Sequence, residues 1–169
     1  MQHVISVTVE DNPGVLARVS SMFARRDFNI HSLAVGQTED TGRSRMTVVV
    51  GCIDTEQIIK QLYKLVHTIK VTEYAPGSAI EREVMLVRVN ADPLRRSEII
   101  EAASAFGSSP VDVGASTVTF EVVGEPARLA DFLELMKPYG IVNLVKSGRI
   151  AMGKDRKSPT KTNTNGQGG

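Results

Sequence analysis

The residue types best suited to bind a small polar ligand lie at positions 11–16, which read Asp-Asn-Pro-Gly-Val-Leu. A strand-like stretch ends just before this segment, and an amphipathic helix is expected to begin within it. The first amides of a helix have no partner inside the helix, and with the positive end of the helix dipole they favour a bound carboxylate. Gly14 has no Cβ, so a ligand can approach the backbone closely. An ordinary capped helix start explains the same residues and, taken alone, is the better interpretation.

Asn29 is a second polar residue of interest, because it stands at the expected start of the second strand. A side-chain amide both donates and accepts hydrogen bonds, which suits it to the ammonium or carboxylate group of an amino acid. A neutral turn residue is an equally good interpretation of the same asparagine.

No catalytic constellation accompanies these residues. The sequence has no phosphate-binding loop with a Gly-Lys-Ser/Thr ending, no nucleophile elbow and no carboxylate pair in a motif context. One cysteine and three scattered histidines do not supply the tetrahedral ligand set of a structural zinc site. We therefore expect no catalytic residue and no metal. Cys52, the single cysteine, is interpreted as a buried structural thiol.

Two periods of apolar residues predict the elements that position these side chains. Alternation is typical of a half-buried strand, and spacings of three and four are typical of an amphipathic helix. In the first half they predict strands at 4–9, 29–37, 44–52 and 71–75, a helix from position 15, and a second helix opened by Asp54 or Thr55 with an apolar stripe from 58 to 69. Pro13 is expected at the first position of the first helix, capped by Asp11 or Asn12.

The same order of elements begins again after a Pro-Gly-Ser break at positions 76–78. It predicts strands at 83–89, 111–113, 117–123 and 141–145, with helices from Asp92-Pro93 and around 129–136. The fold class is therefore α+β, with two ferredoxin-like βαββαβ modules that each hold an antiparallel sheet with both helices on one face. We assign the modules to residues 1–78 and 79–153. The polar stretch 154–169 is expected to be a disordered tail.

Composition narrows the function classes further. The chain has 169 residues, of which 41% are hydrophobic and 23% charged, and a formal net charge of +1. This balance implies no long-range attraction to nucleic acid or to an anionic membrane. The longest apolar run covers positions 48–53, far short of the roughly 20 residues that span a bilayer, and positions 1–9 lack the features of a signal peptide. We expect a cytoplasmic protein whose bare sheet faces favour a dimer.

Positions 11–16 resemble the Asp-x-Pro-Gly-Val/Leu segment of ACT domains, the amino-acid-sensing modules of biosynthetic enzymes. The segments at 29–35, 44–47, 61–66, 81–87 and 111–113, and the Ser-Gly-Arg-Ile-Ala segment at 147–151, resemble acetolactate synthase small subunits more narrowly. The resemblance extends from residue 1 to about residue 153. Asp27 replaces the usual glycine before an aromatic residue, which the fold tolerates because aspartate adopts the left-handed conformation.

This resemblance implies a non-catalytic subunit that activates a large catalytic subunit and confers feedback inhibition by valine in branched-chain amino acid biosynthesis. Two ACT domains would pair as a homodimer, with valine at their interface. Carried over by position, the valine-binding residues would be Asp11, Asn12, Gly14, Val15, Leu16, Asn29 and Ile30. The last two would come from the partner chain, and whether Asp11 or Asn12 has the polar role stays open. Thiamine diphosphate, a divalent metal and FAD are expected in the catalytic subunit and none of them in this chain.

Three other functions are consistent with this fold class. An RNA-binding module needs exposed aromatic residues on its central strands, and positions 44–52 hold none, in a chain with five Phe, three Tyr and no Trp. A small ferredoxin-like hydrolase is the enzymatic alternative. The stronger alternative is a stand-alone ACT sensor of another amino acid that acts on a different partner.

The sequence does not distinguish valine, leucine and isoleucine as the ligand, because a methylene difference is worth only about 1–3 kcal/mol. The surface that contacts the catalytic subunit is also open.

Overall fold

The computed structural model describes residues 2–51 and 54–155, so Cys52 and the stretch 156–169 lie outside the described residues. The first half contains β1 (Gln2–Glu10), α1 (Val15–Ala24), β2 (Asn29–Gln37), β3 (Arg43–Gly51), α2 (Thr55–Leu62) and β4 (Thr68–Tyr74). The second half contains β5 (Ala79–Asn90), α3 (Arg96–Ser104), β6 (Ser109–Val113), β7 (Thr117–Gly124), α4 (Pro126–Met136), β8 (Ile141–Lys146) and β9 (Ile150–Gly153), with a 3-10 turn at Lys137–Tyr139.

The first half forms a four-stranded sheet in the order β2-β3-β1-β4, with antiparallel neighbours. The alternation along β1 places Ile5, Val7 and Val9 on one face, where they are buried against α1 and α2. Both helices lie on that face because their apolar stripes have nowhere else to be buried. The predicted ferredoxin-like architecture is confirmed for this half.

The second half repeats the arrangement in the order β6-β7-β5-β8. Met85, Val87 and Val89 of β5 are buried under α3 and α4, where Phe132 packs edge-to-face against Phe120. Each half thus has its own sheet, helix layer and hydrophobic core, as the repeated pattern predicts. The α+β fold class with two such modules is confirmed.

Asp27 has the one left-handed backbone conformation among the described non-glycine residues, with φ +54°. It lies in the turn after α1, where its N–H donates to the carbonyl of Ala24 at 3.3 Å. Asp27 therefore has the left-handed conformation expected for the glycine that it replaces at this position.

Three helix boundaries differ from the prediction. Helix α3 begins at Arg96 and not at Asp92-Pro93, because Asp92 forms a turn before the helix, where its Oδ1 accepts from the N–H of Leu94 at 2.9 Å and its carbonyl accepts from the N–H of Arg95 at 2.9 Å. Helix α1 begins at Val15, one residue after Gly14 with φ +84°, so Pro13 lies in the preceding turn and no side chain caps the helix. Helix α2 ends at Leu62, because the chain tightens into turns with hydrogen bonds of the i to i+3 type, such as Leu65 N–H to the carbonyl of Leu62. The apolar residues up to position 69 therefore belong to this turn and to β4.

Strand β9 is absent from the prediction, and it pairs with the first residues of β5. Together they form a two-stranded ribbon (Ala79–Arg82 and Ile150–Gly153) that lies on the back face of the first sheet. Ala79 and Ala151 of the ribbon are buried there against Val4 and Val49. Beyond the ribbon, the backbone N–H of Lys154 donates to the carbonyl of Ser78 at 2.9 Å. The first sheet is thus covered by helices on one face and partly by this ribbon on the other.

Of the two helices described in the first half, α2 has a side-chain cap, since Asp54 Oδ1 accepts from the N–H of Glu56 at 2.9 Å. Asp54→Ala is expected to lower the free energy of unfolding by about 1 kcal/mol, because this N–H loses its partner. Thermal or urea unfolding measures the loss. Asp131→Ala, which removes an exposed aspartate within α4, is the control and should change stability by much less. An equal loss in both variants would contradict the capping role.

Candidate functional site

The turn between β1 and α1 presents backbone donors to solvent. Gly14 has φ +84°, and a Cβ at this position would meet no atom of the described residues within 4 Å. The Val15 side chain is 5% exposed and belongs to the core, and its N–H donates to the carbonyl of Asn12 at 3.3 Å. Within residues 2–51 and 54–155, the amides of Leu16 and Ala17 have no hydrogen-bond acceptor. The helix start therefore offers an accessible position for an anion. Leu16, unlike the buried Val15, is 43% exposed beside this position.

Asp11 and Asn12 face different neighbours. Asp11 Oδ2 accepts from Gln37 Nε2 at 3.2 Å, which attaches the turn to the end of β2. Asn12 Nδ2 donates to Glu10 Oε2 at 3.0 Å, and His67 Nδ1 lies 2.9 Å from the same carboxylate oxygen. Asp11 is thus placed beside β2, and Asn12 is held in a polar cluster on the β4 side.

Asn29 and Ile30 lie at the opposite end of the sheet. Asn29 is opposite Gly51, which in turn is opposite Gln2 at the start of β1. The turn at Gly14 follows the end of β1, so a nine-residue strand separates the two groups by about 25 Å at 3.3 Å per residue. One chain therefore does not bring the predicted site residues together.

The outer side of β2 is a free strand edge. In the order β2-β3-β1-β4, strand β2 pairs only with β3 among the described strands. Its register shifts between Ile30 and Ser32, which marks a bulge close to Asn29. An edge strand exposes unpaired N–H and C=O groups that are able to pair with another strand.

A cavity of about 500 Å³ lies on the back face of the first sheet, between the β2–β3 hairpin and the ribbon. Its walls are apolar on the ribbon side, where Ile80, Ile150 and Met152 line it. Charged side chains of both signs, Arg45, Arg82 and Glu39, also line the cavity. None of the seven predicted site residues lines this cavity. No local sequence pattern predicts it, because the cavity arises only when the two halves pack together.

The start of α3 in the second half differs from the start of α1. No glycine stands there, and Leu94 is 95% exposed. The Arg95 guanidinium lies 5.1 Å from the centre of the Tyr139 ring. Hydrogen bonds hold the pKa of the Glu98 carboxyl below its usual range. The bond from Arg95 has the largest effect, and the bond from Tyr139 has the next largest. Charged and bulky side chains thus occupy the position that is open at Gly14.

Residues 2–51 and 54–155 contain no group of three or more His, Cys, Asp and Glu side chains placed to hold a metal ion. None of the described helices is long and apolar enough to cross a membrane.

Comparisons with known proteins agree in one family. Residues 5–70 match the model of the AHAS small subunit-like ACT domain, and residues 82–155 match that of the small subunit of acetolactate synthase. The acetolactate synthase small subunit of Mycolicibacterium smegmatis is 47% identical, over 90% of this chain and 91% of that protein. A probable acetolactate synthase small subunit of Archaeoglobus fulgidus is 48% identical over 93% and 99%. The crystal structure of this subunit from Thermotoga maritima superposes with a TM-score of 0.83 and 34% identity, over 91% and 98% of the two chains.

Proposed function

Because the chain belongs to the family of acetolactate synthase small subunits, we propose that it activates a large catalytic subunit and makes that subunit sensitive to valine. In this function the chain is a cytoplasmic regulatory subunit without catalytic residues of its own. The observation that carries the proposal is the open helix start at Gly14, with two amides that lack acceptors among the described residues.

Valine is proposed to bind with its carboxylate at this helix start. The amides of Leu16 and Ala17 would donate to the carboxylate, and the helix dipole adds an attraction of about 0.3–2 kcal/mol that grows with burial. The exposed side chain of Leu16 would contact the isopropyl group of the ligand. Because Gly14 leaves open space, the ligand reaches the backbone without displacing a side chain.

A second copy of the chain would complete the site. If two β2 strands pair along their free edges in antiparallel fashion, the Asn29 end of one strand lies opposite the Gln37 end of the other. Gln37 holds Asp11 by a hydrogen bond, so the Gly14 turn of one protomer would lie near Asn29 and Ile30 of the partner. This arrangement explains how residues about 25 Å apart in one chain serve one ligand.

The cofactors are assigned to the catalytic partner. Thiamine diphosphate, a divalent metal and FAD would belong to the large subunit, and this chain would act on them only through its contact with that subunit. Valine inhibits by binding one arrangement of the complex better than another, a coupling that is typically about 1–3 kcal/mol.

Reconstitution with the large subunit tests the proposed function. Acetolactate formation by the large subunit is expected to rise when this chain is added and to fall again with valine. Leucine and isoleucine, titrated in parallel, establish the ligand preference. Unchanged activity on addition of the chain would contradict the regulatory role, and association with a different enzyme would favour a sensor of another pathway.

Asn29→Ala is expected to weaken valine binding by about 1–3 kcal/mol, because a desolvated ligand group loses its hydrogen-bond partner. Calorimetry measures the affinity, and sedimentation should show that the dimer persists. Asn143→Ala is the matched control, since Asn143 is an exposed strand asparagine in the second half. Equal affinities in the two variants would argue against a ligand contact at Asn29.

Mixed dimers test whether the site is shared between protomers. Asn29→Ala chains are combined with Gly14→Asp chains, and the heterodimers are isolated with two affinity tags. A shared site places both defects in one interface site and leaves the other intact, so the heterodimer is expected to bind half as much valine as the wild-type dimer. Heterodimers that bind no valine would exclude the shared site.

A further inference from the structure

The Ser-Gly-Arg-Ile-Ala segment at 147–151 takes no part in the proposed valine site. Residues 147–149 form the turn between β8 and β9, which we call the clasp turn. Ser147 attaches this turn to the central strand of the second sheet twice. Its N–H donates to the carbonyl of Val84 at 2.9 Å, and its Oγ accepts from the N–H of Val84 at 3.0 Å.

The clasp turn also approaches β2 of the first half closely, because Gly148 has no side chain. Gly148 has φ +86°, and a Cβ at this position would lie 2.6 Å from the carbonyl oxygen of Leu33. The N–H of Arg149 donates to Ser32 Oγ at 2.7 Å. In the described part of the chain, this is the one hydrogen bond that joins residues 2–75 to residues 79–155.

An ion pair holds the turn in this position. Arg149 Nη1 lies 3.0 Å from Glu81 Oε2, and the two side chains are only 17% and 25% exposed. Glu81 belongs to the ribbon that covers the back face of the first sheet. The clasp turn is thus fixed to β5 at two points, through Val84 and Glu81.

The contact lies at the point where β2 is least regular. The register of β2 shifts between Ile30 and Ser32, and a bulge locally disrupts the ladder and bends the strand. Asn29 and Ile30 lie directly on one side of this bulge, and the clasp turn contacts Ser32 and Leu33 on the other. A displacement of β2 at Asn29 or Ile30 would therefore be passed to the clasp turn by two contacting residues, Ser32 and Leu33.

We infer that the clasp turn transmits valine occupancy from β2 to the second module, with Ser32, Gly148 and Arg149 as positioning residues. This inference rests on the proposed function, because it concerns the regulation of the same site. Energetic coupling between distant sites is carried by packed and hydrogen-bonded groups that link rigid elements. The clasp turn is such a link between two sheets.

The experiment uses the full chain with its large subunit and compares Gly148→Ala with Gly77→Ala. Gly77 has φ +77° and no atom within 4 Å of its Cβ position, so the control introduces the same backbone strain without the clash. Valine Kd is measured by calorimetry for the free chain and for the complex, together with inhibition at saturating valine. Coupling of ordinary size makes the two Kd values differ by about 5- to 150-fold.

Gly148→Ala is expected to bind valine as a free chain with little change in Kd. Its ratio of the two Kd values should fall toward one, and saturating valine should inhibit the complex only weakly, whereas Gly77→Ala should retain both properties. Ser32→Ala, which removes only the Oγ acceptor, provides a second variant that preserves the backbone. Ser104→Ala is its control, because Ser104 Oγ bonds within α3 to the carbonyl of Ile100.

Wild-type coupling and inhibition in both clasp variants would overturn the inference. Loss of valine binding by the free Gly148→Ala chain would also overturn it, since the turn would then shape the site itself. Failure of the wild-type chain to bind valine would overturn the proposed function and this inference together, and the wild-type titration alone distinguishes that result.

Discussion

Gly14→Asp is expected to abolish the response to valine while the activation of the large subunit persists. The new carboxylate would stand at the helix start that is proposed to bind the ligand carboxylate. Two such charges 4 Å apart repel by about 1 kcal/mol in water and about 4 kcal/mol near a protein surface, which corresponds to a loss of about 5- to 1000-fold in affinity. The substitution leaves the core intact, because a side chain at Gly14 points into open space.

Gly14→Asn separates the charge from the backbone strain. Asparagine has nearly the same shape as aspartate, carries no charge and tolerates the left-handed conformation at φ +84°. It is therefore expected to weaken valine binding far less. Calorimetry of both variants, with Gly77→Asp as a remote control, measures the difference. If Gly14→Asp binds valine with wild-type affinity, the helix start is not the carboxylate site.

The fragment of residues 1–78 is expected to dimerise and bind valine but not to give the full response of the large subunit. It retains the open helix start, β2 and its own core. It also loses the ribbon, so Val4 and Val49 on the back face become exposed. Its fold should therefore be less stable than in the full chain and should depend on protein concentration.

Valine should stabilise this fragment by mass action, by about 2.7 kcal/mol at a ligand concentration of 100 Kd. The unfolding midpoint, followed at several valine concentrations, measures this effect, and a Gly14→Asp fragment is the matched control without it. If the fragment folds but its unfolding midpoint does not change with valine, the first half is not the valine sensor. Full activation of the large subunit by the fragment would remove the role assigned to the second half.

The period of the apolar residues predicted most of the fold because each half buries one face of its sheet under its helices. The alternation of Ile5, Val7 and Val9 specifies both a strand and its buried face. The period does not specify a boundary where one set of apolar residues fits two structures. Leu65, Val66 and Ile69 continue a helical stripe, yet the chain turns at Tyr63 and uses Ile69 in β4.

Features that depend on contact between the halves were not predictable from local sequence. Strand β9 has four residues, and its pairing with β5 joins positions about 70 residues apart. The back-face cavity follows from the same packing. The sequence located Gly14 and Asn29 separately, but only the strand order shows that they lie at opposite ends of one sheet. That Gly14 and Asn29 contact the same ligand therefore remains a prediction about the dimer.

The ribbon also has a consequence for the order of events during synthesis on the ribosome. The first sheet is complete in sequence at Tyr74, whereas Ile150–Gly153 follows only after β5, β6, β7 and β8 have been made. At roughly 5–20 residues per second, the nascent first module waits for several seconds before its back face is covered. On that face Ser6 and Thr47 lie between the apolar residues, opposite each other as Val4 and Val49 are. These hydroxyl groups make the uncovered face less apolar than the face under the helices, where β1 and β3 present aliphatic side chains and Met46 to the core.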